Sequence, residues 1–194
     1  QLPLGIAGIA VGTVLLQKIS LHLITGDSNQ AQITYSQSAE MVWFVALPSS
    51  FALCLVPLPL VSALFEHGET SRQDALAISY ATAIYGLGLP AFMIQKLLQP
   101  LYFAREDTKT PLRFAVISML LNAILAIALL NIMGWIAVAV AASASAWVTS
   151  ILLWISAKKF GRAASALKTS THRIKRTFFA SLVMGIILLA ISQN

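Results

Sequence analysis

The densest chemistry in this sequence lies between two prolines, in the stretch Pro100-Leu101-Tyr102-Phe103-Ala104-Arg105-Glu106-Asp107-Thr108-Lys109-Thr110-Pro111. Arg105, Glu106, Asp107 and Lys109 put both signs of charge within five residues, at the junction of two apolar runs. Such a cluster can close an ion pair across a turn. It can also act as a charge network that holds one of two states, so Arg105, Glu106 and Asp107 are candidate gate residues. Lys96 stands nine residues before Arg105 and offers an ammonium that can meet a phosphate. Asn122 brings an amide into the apolar run that follows, where it can hydrogen-bond a neighbouring helix. Nothing here is arranged for bond-making. There is no Walker loop, HExxH, CxxC or convergent Ser/His/Asp set, and no metal or cofactor motif, so an enzyme is not expected. His22, His67 and His172 fall near the ends of apolar runs and read as solvated residues, while Cys54 reads as a small buried hydrophobe.

The elements that must position these residues follow from composition. Of 194 residues, 58% are hydrophobic and only 10% charged, against about 25% charged in soluble domains. So few charges cannot clothe a water-facing surface, and disordered chains lack this much apolar content. Residues 41–65, 75–95, 114–157 and 177–194 carry no Asp, Glu, Lys or Arg. A bilayer core needs about 20 apolar helical residues, so 114–157 alone suffices for two crossings. The chain is an all-α, polytopic transmembrane bundle of about six membrane helices. Its net charge of +6 comes largely from one stretch between apolar runs, containing Lys158, Lys159, Arg162, Lys168, Arg173, Lys175 and Arg176. That is the mark of a cytoplasmic loop rather than of a nucleic-acid surface. With Lys96 near that face, snorkelling of its ammonium to the interface is the simpler reading beside lipid-phosphate contact.

Six segments can be drawn, at about 3–24, 40–65, 75–103, 112–131, 135–157 and 177–192. Residues 1–157 form a lobe of about five membrane helices, 158–176 a basic cytoplasmic loop, and 177–194 a further membrane helix. Thr25–Ser38, rich in Ser, Asn and Gln, reads as a loop, and Glu40 as the start of the second helix, where a carboxylate suits the helix dipole. Segments two and three are interrupted by Pro48, Pro57, Pro59, Pro90 and Pro100, with Gly86 and Gly88 beside Pro90. Broken helices recur in transporters that rock around a cavity, though Pro and Gly are also generally common in membrane helices. Ala137, Ala141, Ser145 and Thr149 recur every four residues and make a seam for close helix packing, as Gly8 and Gly12 do on the first segment.

The stretch from Pro100 to Pro111 closely resembles the "FYAREDTRTP" signature of the MurJ/MviN family of lipid II flippases. Gln1-Leu2-Pro3-Leu4-Gly5 with Gly8-Ile9-Ala10-Val11-Gly12-Thr13 is similar to the family's "QLPxGxxGIAxGT". Leu64-Phe65, Gly68 and Asp74 fit its "LFxxG…D" loop, and Tyr85-Gly86-Leu87-Gly88-Leu89-Pro90-Ala91-Phe92 with Lys96 fits "YxxGLPAFxxxK". Leu182-Val183-Met184-Gly185 fits a late helix. The chain departs from the family at Gln17, Leu21 and Thr70, and at Ala126, which breaks an "NxxxN" pair begun by Asn122. The resemblance implies part of a MATE/MOP-type exporter fold, helices eight to thirteen of fourteen, in the bacterial cytoplasmic (inner) membrane. The implied partners are the lipid-linked peptidoglycan precursor lipid II, membrane lipids and the N-terminal half of the same protein, with no nucleic acid. The family's cavity arginines would lie upstream of Gln1, and the abrupt opening Gln1-Leu2-Pro3 reads as the interior of a longer protein. A polysaccharide or drug exporter of the same superfamily, or a non-transporting scaffold for cell-wall machinery, are the alternatives.

Loops 104–113 and 158–176 together hold ten of the thirteen basic residues and are separated by two crossings, which places both in the cytoplasm and 66–74 outside. In cells carrying the protein without Cys54, an impermeant thiol reagent is expected to label Ser71→Cys and to spare Ser170→Cys. The reverse pattern inverts the orientation.

Overall fold

The computed structural model describes residues 4, 5, 10–65, 71–160 and 171–192. Its helices are α1 (Ala10–Ile24), α2 (Ser28–Leu55), α3 (Pro57–Phe65), α4 (Arg72–Phe103), α5 (Lys109–Met133), α6 (Ile136–Ala157) and α7 (Thr171–Ser192), with a 3₁₀ turn at Lys158–Phe160. Four of them, α2, α4, α5 and α6, are long and apolar enough to cross a membrane, and α1 is a shorter apolar helix. The expected all-α fold stands, with a multi-pass membrane protein as its class.

The second helix begins far earlier than its hydropathy suggests. Thr25–Ser38 is not a loop: the chain turns at Gly26, with φ +72°, and Asp27 caps α2 by accepting the Gln30 N–H at 3.0 Å. Within the polar stretch and beyond it, Ala31, Tyr35, Ala39, Val42 and Ala46 recur at helical spacing and are all buried. That stripe holds the helix together although its average is polar. Glu40 therefore lies well inside α2, and the capping role expected of it belongs to Asp27. The segment then breaks at Val56 because Pro57 opens α3, where its missing N–H costs nothing. At the other end of the chain, α7 starts at Thr171, so the basic loop assigned to 158–176 is corrected. Residues 158–160 form a 3₁₀ turn, 161–170 lie outside the described residues, and Lys175 and Arg176 ride on a helix. Lys and Arg are good helix formers, so the end of an apolar run does not mark the end of a helix.

α4 is the hub, packed against α1, α2, α3 and α6, while α5 lies on α6 and α7 on α2. Its start is fixed by a capping box between Ser71 and Asp74. Its 32 residues continue through Pro90 and Pro100. Proline at 90 deprives the Gly86 carbonyl of its helical donor. The Ser50 hydroxyl of α2 replaces that donor at 2.7 Å. Neighbouring carbonyls of α4 also receive side chains: Cys54 Sγ reaches Ala83 at 3.4 Å, Ser143 Oγ Ile84 at 2.9 Å, Trp147 Nε1 Leu87 at 3.1 Å and Ser150 Oγ Ala91 at 2.7 Å. In return, Gln95 Nε2 of α4 donates to the Ala146 carbonyl at 2.9 Å.

The expected small-residue ridge of α6 is buried along its length at Ala137, Ala141, Ser145 and Thr149, and the Ser145 carbonyl accepts Ser118 of α5 at 3.3 Å. A second seam, Ser143, Ala146, Trp147 and Ser150, faces α4. Here Gly88 is indispensable, because a Cβ at that position would lie 2.7 Å from Ser143 Oγ. Overpacking of this kind costs about 1–3 kcal/mol. Gly88→Ala is expected to destabilise the detergent-solubilised protein by that order in denaturant unfolding. Adding Ser143→Gly should recover part of the loss, giving a double variant less impaired than the two singles summed.

Candidate functional site

The charged turn is built by the reversal of the chain between α4 and α5. The last turn of α4 closes with Ala104 N–H on Pro100 O at 2.9 Å and Asp107 N–H on Tyr102 O at 3.0 Å. The reversal itself falls on Glu106, with φ +58°, a left-handed conformation that costs a non-glycine residue about 1–2 kcal/mol. Beyond it, the Asp107 carboxylate accepts the Thr110 N–H at 3.0 Å and the Thr110 hydroxyl at 2.9 Å, which starts α5.

A pair among Arg105, Glu106 and Asp107 across the turn is one of the two readings of this cluster, and Arg105 does not make it. The Arg105 guanidinium turns back and donates to the Leu101 carbonyl at 2.9 Å, because the bare carbonyls at a helix C-terminus draw a cation. Its other contact is the Phe160 ring, 4.5 Å away. Asp107 instead pairs with Lys159 Nζ at 2.9 Å, from beyond the end of α6. Lys159 also sits 4.9 Å from the centre of the Phe160 ring and 5.5 Å from that of Tyr102. Tyr102 meets Phe160 edge-on at 5.0 Å, and its hydroxyl donates to the Leu153 carbonyl at 2.6 Å. The result is a clasp: two cations flank one ring, one carboxylate anchors one of them, and the ends of α4, α5 and α6 are tied together. An exposed ion pair contributes little on its own, so the aromatic contacts and the Tyr102 bond give the clasp its hold.

Charge in the clasp follows its contacts. The Lys159 ammonium, then the Thr110 N–H and hydroxyl, hold the Asp107 carboxyl below the usual carboxylate range. Partial burial lowers the Arg105 guanidinium from its ordinary value, and it remains a cation at neutral pH.

Lys96 lies apart from this cluster. It lines a groove of about 210 Å³ between α1 and α4 with Gly12, Thr13, Leu16, Gln99, Pro100 and Phe103. Gly12 sits against the Lys96 carbonyl, the one that Pro100 leaves without a helical donor, and a Cβ on Gly12 would come 3.4 Å from it. Asn122 has its acceptor, Oδ1, buried without a partner among the described residues. Ser118, one turn earlier, reaches the Ser145 carbonyl of α6. Sequence reasoning missed Tyr102, Thr110 and Phe160 as clasp residues and grouped Lys159 with the rest of the basic run. The only signal was the placement of Lys158-Lys159-Phe160 directly after a charge-free helix.

A proline-interrupted hub helix, stitched to its neighbours by side-chain bonds to its carbonyls and closed at one end by a charged clasp, together with four helices long and apolar enough to cross a membrane, defines a polytopic helical membrane protein. The whole chain, residues 1–194, matches the family described as lipid II flippase MurJ. It belongs to that family. A probable lipid II flippase MurJ of Rhizobium meliloti (strain 1021) is 39% identical over 185 residues, covering 95% of this chain and 34% of the relative. One from Rhizobium tropici is 33% identical over 194 residues, covering 100% of this chain and 36% of its own length. Among solved structures, lipid II flippase MurJ in an inward closed conformation matches with a TM-score of 0.73 and 27% identity, over 98% of this chain and 43% of that one. The chain thus spans about a third of the length of these curated relatives.

Because Asp107 titrates lower in the clasp than in an unfolded chain, its contribution is complete at neutral pH and is lost as the pH falls through a value below about 3.9. In unfolding measurements across pH 7 to 3, the wild type is expected to exceed Asp107→Asn at neutral pH and to converge on it at the acid end. A constant gap would show that the carboxylate charge plays no part.

Proposed function

We propose that this chain is the part of a lipid II flippase that corresponds to helices eight to thirteen of fourteen, in the bacterial cytoplasmic membrane. The whole protein would move an undecaprenyl-pyrophosphate-linked disaccharide-pentapeptide from the inner to the outer leaflet. The observation that carries this reading is the family match along all 194 residues. Physically, the headgroup cannot cross hydrocarbon bare, because burying polar groups and charges without partners is too costly. A cavity opening to each side in turn removes that cost by transport, with no bond made or broken.

Within this reading the clasp is cytoplasmic. Arg105, Glu106 and Asp107, with Lys159, form the part of a cytoplasmic gate that this chain contributes. Lys96, in its groove two turns from the clasp, is the cation available to a lipid phosphate. The cations within the membrane helices described, Lys18 and Lys96, lie toward the cytoplasmic ends of their segments, and an unpaired pyrophosphate at the midplane would be expensive, so the remaining helices supply the central cations. They also supply the second half that a rocking motion requires.

Proteoliposomes containing labelled lipid II test this. The full-length protein is expected to expose label in the opposite leaflet, Arg105→Ala and Asp107→Ala to slow exposure at least several-fold, and Ser165→Ala to leave it unchanged. Residues 1–194 alone should insert without transfer. Transfer by the fragment at the full rate would place the substrate path wholly within these helices.

A further inference from the structure

Asp107 has two cations at hand and pairs with the more distant in sequence. Lys159 Nζ meets its carboxylate at 2.9 Å from 52 residues away, joining the α4–α5 turn to the end of α6. Arg105 stands only two residues before Asp107, yet it makes no ion pair among the described residues. Its guanidinium is occupied by the Leu101 carbonyl at 2.9 Å and by the Phe160 ring at 4.5 Å.

The two possible pairs differ in what they connect. Asp107 with Lys159 is a tie between helices, whereas Asp107 with Arg105 would close within one turn and leave α6 untied. Charge alone does not favour the tie. Lys159 is 49% exposed and Asp107 24%, so water screens their attraction and leaves the carboxylate open to a second cation. A guanidinium fork also matches a carboxylate better than an ammonium does. Two residues of chain span at most about 7 Å, within the reach of an arginine side chain that leaves its ring. The left-handed Glu106 starts the two side chains apart, and the Phe160 ring keeps Arg105 away. That ring is a fixed surface. It packs against the buried core, meets Tyr102 edge-on at 5.0 Å, and Tyr102 is itself bonded to the Leu153 carbonyl at 2.6 Å. Lys159 lies 4.9 Å from the same ring, so the ring favours the tie through both cations.

We propose that Phe160 is a positioning residue that selects the partner of Asp107, and that the clasp is a two-state exchange. With Arg105 on the ring, Asp107 holds Lys159 and α6 is tied to the α4–α5 turn. When Arg105 leaves the ring it takes Asp107, Lys159 is released, and the end of α6 comes free. The role of this exchange in transport rests on the gate reading above, while the exchange itself involves only contacts within these helices.

The test separates the two. Thr108, which makes no side-chain cap bond, and Lys158 are both exposed and flank the clasp. The full-length protein, with its native cysteines replaced, is spin-labelled at Thr108→Cys and Lys158→Cys in lipid nanodiscs, and pulsed electron resonance reads the distance between them. Mono-, di- and trifluorophenylalanine at position 160 weaken the negative face of the ring at nearly constant shape. The ratio of a longer second distance to the short one is expected to rise stepwise, to about fivefold at the trifluorinated ring. Phe160→Leu should go at least as far, and Phe160→Tyr should stay with the wild type. Arg105→Gln removes the competitor, so it should flatten the fluorine series and return Phe160→Leu to the short distance. A flat series with Arg105 present would reduce the ring to packing and overturn the exchange. A wider opening in Phe160→Leu with Arg105→Gln than in Phe160→Leu alone would make Arg105 an adhesive rather than a competitor, and would overturn it too. Lipid II exposure is measured on the same variants. The expected distances with unchanged exposure would remove the gate reading and leave the exchange standing.

Discussion

A helix in hydrocarbon has no water to cover a carbonyl that proline strips of its donor, and each such group costs several kcal/mol unless protein supplies a replacement. α4 carries that liability at its centre, where Pro90 bares the Gly86 carbonyl, and Ser50 of α2 resolves it at 2.7 Å. The same stretch of α4 is bound from the other side by Ser143, Trp147 and Ser150 of α6. Close approach is what makes these bonds reachable, and it depends on Gly86 and Gly88, whose missing side chains admit α2 and α6 respectively. The three helices are thereby registered to one another within about two turns of α4.

From that point outward the rest of the bundle follows. Toward its C-terminus α4 presents Met93, Leu97, Leu98, Leu101 and Tyr102 to a core shared with α1, α2 and α6, and Tyr102 ends it by bonding the Leu153 carbonyl. The clasp forms where these helices emerge together, so its geometry is inherited from the registry below it. Elements outside the triad are held differently. α5 lies along α6 with Leu112, Met119, Leu120, Ile124 and Ile127 exposed, and α7 rests on α2. The block is thus stitched at its centre and clasped at one end.

The clasp also explains why proximity in sequence was a poor guide to pairing. Arg105 and Asp107 are two residues apart, but the left-handed Glu106 between them sends their side chains to different partners, one to a helix end and a ring, the other to Lys159, 52 residues away. Charges at a turn pair according to the direction the backbone imposes, and that direction is a property of single dihedral angles rather than of spacing.

Much of the architecture was legible because it rests on local, one-dimensional constraints. Charge-free runs long enough to cross a bilayer must be helical, since only helices satisfy their own backbone there, and α4, α5 and α6 appear close to where those runs lie. The ridge of Ala137, Ala141, Ser145 and Thr149 was readable for the same reason: a period of four marks a face before any partner is known. The polar half of α2 was hidden because its helix is held by five buried residues whose partners come from other helices, and hydropathy averages them away. Asn122 was readable as a polar group in an apolar run, but that its Oδ1 lies buried without a partner among the described residues was not. The donor for Gly86, the partner of Asp107 and the ring beside Arg105 are all contacts between distant segments. They were decided by tertiary structure alone, because hydrogen bonds, ion pairs and ring contacts act over a few ångströms and only folding sets which residues come that close.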